Sequence, residues 1–172
     1  MKYGWILAAL PVGAALFLMV RHKLRQKTAQ EELQAKEELL TNIKRFSGCF
    51  HPLFQAVQGE NIKRAQKHLD IWKQQASGFE HLERFLDSLS RAEKSPLDSA
   101  ASLMEAWECW GIHHDPAGSV FTIAREHEAL YLFDDVYQPG DQARVTRPAW
   151  WVRTEDRLIC IETGIAEIEY QE

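Results

Sequence analysis

The sequence predicts an α+β protein in three parts: an N-terminal transmembrane helix, a long coiled-coil or helix-bundle dimer, and a small C-terminal β-domain. Three observations lead to this fold class. Residues 3–20 are uncharged and mostly apolar, apolar residues then recur at helical spacing as far as Gly111, and after Gly111 the spacing changes to two. The predicted boundaries are 1–27 for the anchor and its basic end, 28–111 for the helical part, and 112–172 for the β-domain.

The N-terminal stretch is long enough to cross a bilayer. As a helix, Tyr3–Val20 would span about 27 Å. A cleaved signal peptide is the alternative, but the basic residues follow the apolar stretch and no small-residue cleavage site precedes Arg21. Only Lys2 is charged before the stretch, whereas Lys and Arg are frequent in residues 21–27. The positive-inside rule then predicts a single-pass protein of the inner (plasma) membrane with a cytoplasmic C-terminal domain.

The helical part shows a heptad pattern that predicts a long helix paired in parallel with a copy of itself, hence a homodimer. The two heptad positions are occupied by Leu33, Leu40 and Phe54, and by Ile43, Phe50 and Val57. Gly48, Pro52 and Gly59 predict a kink or break near the end of this helix. A second apolar stripe runs from residue 62 to residue 89, weakened at Gly78. A third helix is predicted to begin at Ser95-Pro96 and to end at Gly111, where a positive φ is tolerated.

Beyond Gly111 the pattern predicts short strands over residues 120–121, 131–133, 149–152, 158–161 and 165–170. Pro139-Gly140 and residues 154–156 mark turns between them. Trp150 and Trp151 are adjacent on one strand, so one indole should face the core and the other solvent or a partner.

Composition and motifs argue against several classes of function. The 172 residues are 45% hydrophobic and 26% charged, with a net charge of −5, and acidic residues outnumber basic ones from Glu126 onward. Such a surface would repel nucleic acid. Cys49, Cys109 and Cys160 lack metal-ligand spacing, which favours buried thiols in a reducing compartment.

Two histidine motifs could carry chemistry. Adjacent side chains in an extended segment point in opposite directions, so His113-His114 is interpreted as part of a loop rather than a metal site. His127-Glu128 could be an acid/base pair, but no nucleophile or phosphate loop accompanies it. We therefore expect no enzyme activity, metal or cofactor.

The order of Trp110-Gly111-Ile112, Phe121, His127-Glu128-Ala129, Pro139-Gly140 and the last strands resembles the C-terminal half of the GrpE family, the nucleotide exchange factors of DnaK-type chaperones. The resemblance covers roughly the last 60 residues. It implies a co-chaperone whose β-domain binds the nucleotide-binding domain of a DnaK-like chaperone and favours ADP release, and the N-terminal stretch would anchor this co-chaperone in the membrane. The family's Pro and Asn are replaced by Ala124 and Arg125, so the Asp-Pro turn is lost.

The resemblance also implies roles for individual residues. Arg157, Thr146, Arg125 and Ala124 fall at the family's partner-binding positions, and Trp151 is added to them as an exposed aromatic anchor. Gly111, Phe121, His127 and Glu128 are expected to be structural. The alternative function is a non-catalytic dimeric scaffold or docking protein of an inner-membrane complex that keeps the fold without exchange activity.

Overall fold

The computed structural model describes residues 26–91, 95–154 and 158–170, and it is an α+β fold. Helix α1 is described over residues 26–41 and is followed by a 3-10 turn, Ile43–Phe46. The helices α2 to α5 are Phe50–Gln58, Ile62–Ala76, Glu80–Arg91 and Pro96–Cys109. The strands β1 to β7 are Ile112–His114, Val120–Thr122, Tyr131–Phe133, Gln142–Arg147, Trp150–Arg153, Leu158–Glu162 and Gly164–Glu169. A second 3-10 turn, His127–Ala129, precedes β3.

The long coiled coil predicted from the heptad pattern is wrong. Residues 42–49 interrupt the helix, so α2 packs against α3 and α5 of the same chain. Ile43 and Phe50, which were expected to face a second copy, are 6% and 0% exposed within the chain, whereas Leu33 is 53% exposed. An apolar stripe buries equally well against helices of its own chain, and here it does so. The heptad pattern is therefore no longer a reason to expect a dimer.

The predicted transmembrane helix is a second correction. No helix within residues 26–91, 95–154 and 158–170 is both long and apolar enough to cross a bilayer. The predicted span, Tyr3–Val20, lies outside the described residues. The structure gives the transmembrane helix and the inner-membrane localisation no support, and both are set aside.

Aromatic rings fill the core of the helical bundle. Trp72 on α3 is fully buried, and its ring centroid lies 4.9 Å from that of Phe46, 5.0 Å from Phe50 and 5.1 Å from Trp107. The Trp72 indole N–H donates to the Cys49 carbonyl oxygen over 3.1 Å, which satisfies a backbone acceptor between the 3-10 turn and α2. Rings from four separate segments therefore hold α2, α3 and α5 together.

Two sheets form the β-domain. The first has the strand order β1-β5-β6 and is antiparallel throughout; the second has the order β2-β4-β7-β3, with β3 parallel to β7. Trp150 of β5 packs into the core of the bundle, whereas its neighbour Trp151 packs against the core of the second sheet. Because successive side chains of a strand point to opposite faces, the first sheet lies between the bundle and the second sheet.

A half-buried carboxylate joins the first sheet to the bundle. The Glu162 side chain, at the end of β6, accepts hydrogen bonds from the backbone N–H groups of Phe50 (2.8 Å) and His51 (3.1 Å) in the first turn of α2. These N–H groups have no partner within the helix, so a residue distant in sequence caps it. Burial outweighs these hydrogen bonds and raises the pKa of Glu162 above its ordinary value. The Ser47 hydroxyl adds a hydrogen bond to the Ile161 carbonyl oxygen over 3.0 Å.

Candidate partner-binding surface

A compact turn at Ala124 and Arg125 forms one side of a candidate partner-binding surface. The backbone N–H of Ala124 donates to Nδ1 of His127 over 3.0 Å, and the His127 and Phe121 ring centroids are 4.4 Å apart. The His127 imidazole therefore stabilises the backbone of this turn by a hydrogen bond, in a segment that has no proline to fix its φ angles. Ala124 and Arg125 are exposed at its tip, and Glu128 is exposed on the following 3-10 turn.

Strand β5 forms the other side of the surface. Trp151 is half-buried, and its ring centroid lies 4.8 Å from that of His113 on the neighbouring strand β1. The Arg153 guanidinium lies 5.8 Å from the Trp151 ring centroid, within range of a cation–π interaction. Arg153 also forms an ion pair with Glu126 over 3.4 Å, which connects β5 to the turn. We call the set Ala124, Arg125, Glu126, His113, Trp151 and Arg153 the Trp151 surface.

The Trp151 surface combines an aromatic ring with two exposed arginines in an otherwise acidic β-domain. The side chains of Arg153 and Glu126 are 59% and 54% exposed, so their pairing contributes only about 0 to 1 kcal/mol to stability. Arg153 can therefore exchange Glu126 for a carboxylate on another protein at little cost. Trp and Arg are the residues most enriched among those that dominate binding energy at interfaces.

Thr146 lies apart from this set. It is the residue of β4 without a partner at the bulge between Val145 and Arg147, and its hydroxyl donates to the Ile165 carbonyl oxygen over 3.2 Å. It lines a cavity of about 570 Å³ that reaches α2, α5 and the turn before β2. None of the residues of the Trp151 surface lines this cavity. Arg157, the remaining predicted contact, lies outside the described residues.

Gly111 and Phe121, two of the residues expected to be structural, each have a local role in the fold. Gly111 follows the last residues of α5 with a φ of +79°, which suits a glycine at a helix C-terminus. Phe121 is half-buried between His127 and Tyr131, with 5.1 Å between the Phe121 and Tyr131 ring centroids. Glu128 is exposed and has no contact in the described structure that would explain a structural role.

The predicted loop at His113-His114 is a strand. Both residues belong to β1 and pair with Trp151 and Trp150 of β5. Their rings lie on opposite faces, because His113 is exposed beside Trp151 while His114 packs 4.4 Å from Trp150. Among the described residues, no group of three or more His, Cys, Asp or Glu side chains could hold a metal ion. Burial raises the pKa of the Cys49 thiol to about 11, which disfavours a reactive thiolate.

Sequence reasoning did not identify His113, Glu126 or Arg153 as members of the surface. One signal was present, because Arg153 is two residues from Trp151 and must share its face of the strand. The contact with Glu126 joins segments far apart in sequence and leaves no local pattern.

The chain was also compared with known proteins. No protein-family model matches it, and neither the curated proteins nor the solved structures gave a significant match.

Proposed function

We propose that this protein is a GrpE-like co-chaperone whose β-domain binds the nucleotide-binding domain of a DnaK-type chaperone and favours release of ADP. The proposal rests on the resemblance of the C-terminal part to the GrpE family. The observation that carries it is the pairing of Trp151 with Arg153 beside the turn at Ala124 and Arg125. Two of the contact positions implied by the resemblance thus lie next to an aromatic and cationic surface suited to a protein partner.

The position of the surface also supports the proposal. Trp150 fixes the first sheet to the bundle, and Trp151, on the other face of the same strand, packs against the core of the second sheet and stays partly exposed. A partner could contact the turn and the end of β5 without displacing any helix. A rigid platform of this kind costs little conformational entropy on binding.

The mechanism needs no catalytic side chain. An exchange factor that binds the open, nucleotide-poor state of its partner more tightly than the closed state shifts the partner toward the open state. By linkage, ADP then binds less tightly to the complex than to the free chaperone. On this proposal, Arg125 and Arg153 contact carboxylates of the chaperone and Trp151 contributes an apolar anchor.

The test is release of fluorescently labelled ADP from a purified DnaK-like chaperone of the same organism. Addition of the wild-type chain should accelerate release, and Trp151→Ala or Arg153→Ala should reduce the acceleration by about tenfold or more, as expected for loss of an interface anchor. Arg84→Ala is the matched control, because Arg84 is an exposed arginine of α4 paired with Glu80, away from the β-domain. Thermal unfolding of each variant verifies that it remains folded. An unchanged release rate with the wild-type chain would contradict exchange activity.

A further inference from the structure

The outer edge of β6 opens onto a groove. In the order β1-β5-β6, strand β6 pairs with β5 on one side and with no other strand among the described residues. An edge strand presents the backbone N–H and C=O groups of alternate residues to whatever lies beside it. The second half of this edge is covered, since Ser47 binds the Ile161 carbonyl and Glu162 caps α2. Leu158 and Ile159, in the first half, line an open cavity of about 590 Å³.

The opposite wall of this groove is the end of α1 and the 3-10 turn that follows it. Leu40 is half-buried and supplies apolar surface, and Lys44 and Arg45 supply positive charge. Both cations are exposed. Within the part of the chain that the structure describes, the contacts of Arg45 are neutral: a hydrogen bond of 3.4 Å to the Gln75 side-chain oxygen and an approach of 5.1 Å to the Phe79 ring centroid.

The groove is basic in a chain whose net charge is −5. Within the described residues, neither Lys44 nor Arg45 has an acidic partner at ion-pair distance, and no acidic residue lines the groove. Among the described residues, the two cations therefore give this wall of the groove a positive charge. Charge complementarity favours an occupant that carries carboxylates.

We propose that this groove binds an extended peptide segment of a partner protein, in which acidic residues alternate with apolar ones, by adding it as a further strand to the outer edge of β6. Strand addition supplies backbone hydrogen bonds to the free edge, and side chains supply specificity. In an added strand, alternate residues point to opposite faces, so one set packs on Leu40 and Ile159 while the other reaches Lys44 and Arg45. This binding is separate from the proposed exchange activity and uses a different surface.

The probe is a fluorescein-labelled peptide of alternating valine and glutamate, about eight residues long, which is within the usual length of a strand. Titrated with the full chain, it should bind saturably and more weakly as the salt concentration rises. The double variant Lys44→Glu with Arg45→Glu should weaken binding by about tenfold or more, because each exposed cation becomes a repelling charge. Lys63→Glu, at an exposed position on α3, should leave binding unchanged.

Two further peptides separate strand addition from simple charge attraction. A peptide with lysine in place of glutamate should not bind. A valine–glutamate peptide N-methylated at every residue keeps its charge but has no backbone N–H left to donate, and it should not bind either. With the parent peptide, backbone amides of residues 158–160 should show slower hydrogen exchange.

The proposal would be overturned by no binding of the parent peptide, by binding of the lysine peptide, by equal binding of the N-methylated peptide, or by unchanged binding by the double variant. Light scattering that finds a dimer sensitive to the same double substitution would assign the groove to a second copy of this chain instead.

Discussion

Trp150→Ala tests how the β-domain is held on the bundle. The Trp150 side chain is 2% exposed and contacts rings from three elements. Its ring centroid lies 5.6 Å from those of Phe50 and Phe54, 5.5 Å from that of Trp107 and 4.4 Å from that of His114. Removal of the indole should leave a cavity that this rigid set of rings cannot fill.

The expected loss of stability follows from two opposing effects. Truncation of a buried tryptophan to alanine costs about 3 to 5 kcal/mol. However, the Trp150 indole N–H is buried without a hydrogen-bond partner among the described residues, so its removal also relieves a desolvation cost. We therefore expect the lower end, about 3 kcal/mol, which corresponds to a fall in Tm of about 6 to 12 °C for a chain of this length. Trp150→Phe keeps most ring contacts and removes the unpaired N–H, so it should cost only about 1 kcal/mol or less.

The free energy of unfolding is measured by urea titration of each variant, with the transition followed by circular dichroism. Val136→Ala is the control, because Val136 is 87% exposed and its truncation should change stability by no more than about 0.5 kcal/mol. A cost below about 1 kcal/mol for Trp150→Ala would refute the packing of β5 on the bundle. A cost for Trp150→Phe equal to that of the alanine variant would refute the argument from the unpaired N–H.

Three other predictions concern single positions. The raised pKa of Glu162 means that the folded chain binds the Glu162 proton more tightly than the unfolded chain does. The stabilisation that this proton gives is fully present below about pH 4.3 and is lost as the pH rises through the folded pKa. Glu162→Gln should flatten that part of a curve of unfolding free energy against pH, measured by urea titration. Gly164→Ala would place a Cβ 2.5 Å from a Tyr131 ring carbon and 2.6 Å from the Ala149 backbone nitrogen. Because neither neighbour leaves room for it, the substitution should lower stability in thermal unfolding by about 2 kcal/mol or more. An unchanged Tm would contradict this close approach. Arg157→Ala should leave the Tm almost unchanged yet weaken chaperone binding by about 2 kcal/mol, and unchanged affinity in calorimetry would remove Arg157 from the contact surface.

Local signals predicted helix α5, the third helix expected from the sequence, well. Ser95 and Pro96 define its start, where the Ser95 hydroxyl and the Asp98 carboxylate form a capping box, and Gly111 follows its end with a positive φ. These signals act within one helical turn and need no tertiary context. The break at Gly78, predicted only as a weak point, separates α3 from α4 and has a φ of +92°.

Long-range pairing could not be predicted in the same way. The apolar spacing through Leu40, Ile43 and Phe50 fits one long paired helix as well as short helices folded on each other, because both bury the same stripe. The sequence predicts a loop at His113-His114, where the structure has strand β1; only three residues pair and the partner β5 lies far along the chain, so no local pattern marks this strand. The Trp151 surface could not be predicted for the same reason, since Glu126 and Arg153 are far apart in sequence and come into contact only in the folded chain.

The proposed function predicts a difference between two affinities. The direct measurement is calorimetric titration of the chain into a DnaK-like chaperone of the same organism, once free of nucleotide and once saturated with ADP. The account predicts that the nucleotide-free chaperone binds about tenfold more tightly or better, which corresponds to a coupling free energy of about 1.4 kcal/mol. Trp151→Ala should weaken binding to the nucleotide-free form. Equal affinity for the two forms would leave a docking protein without exchange activity, and no binding to either form would contradict the co-chaperone function altogether.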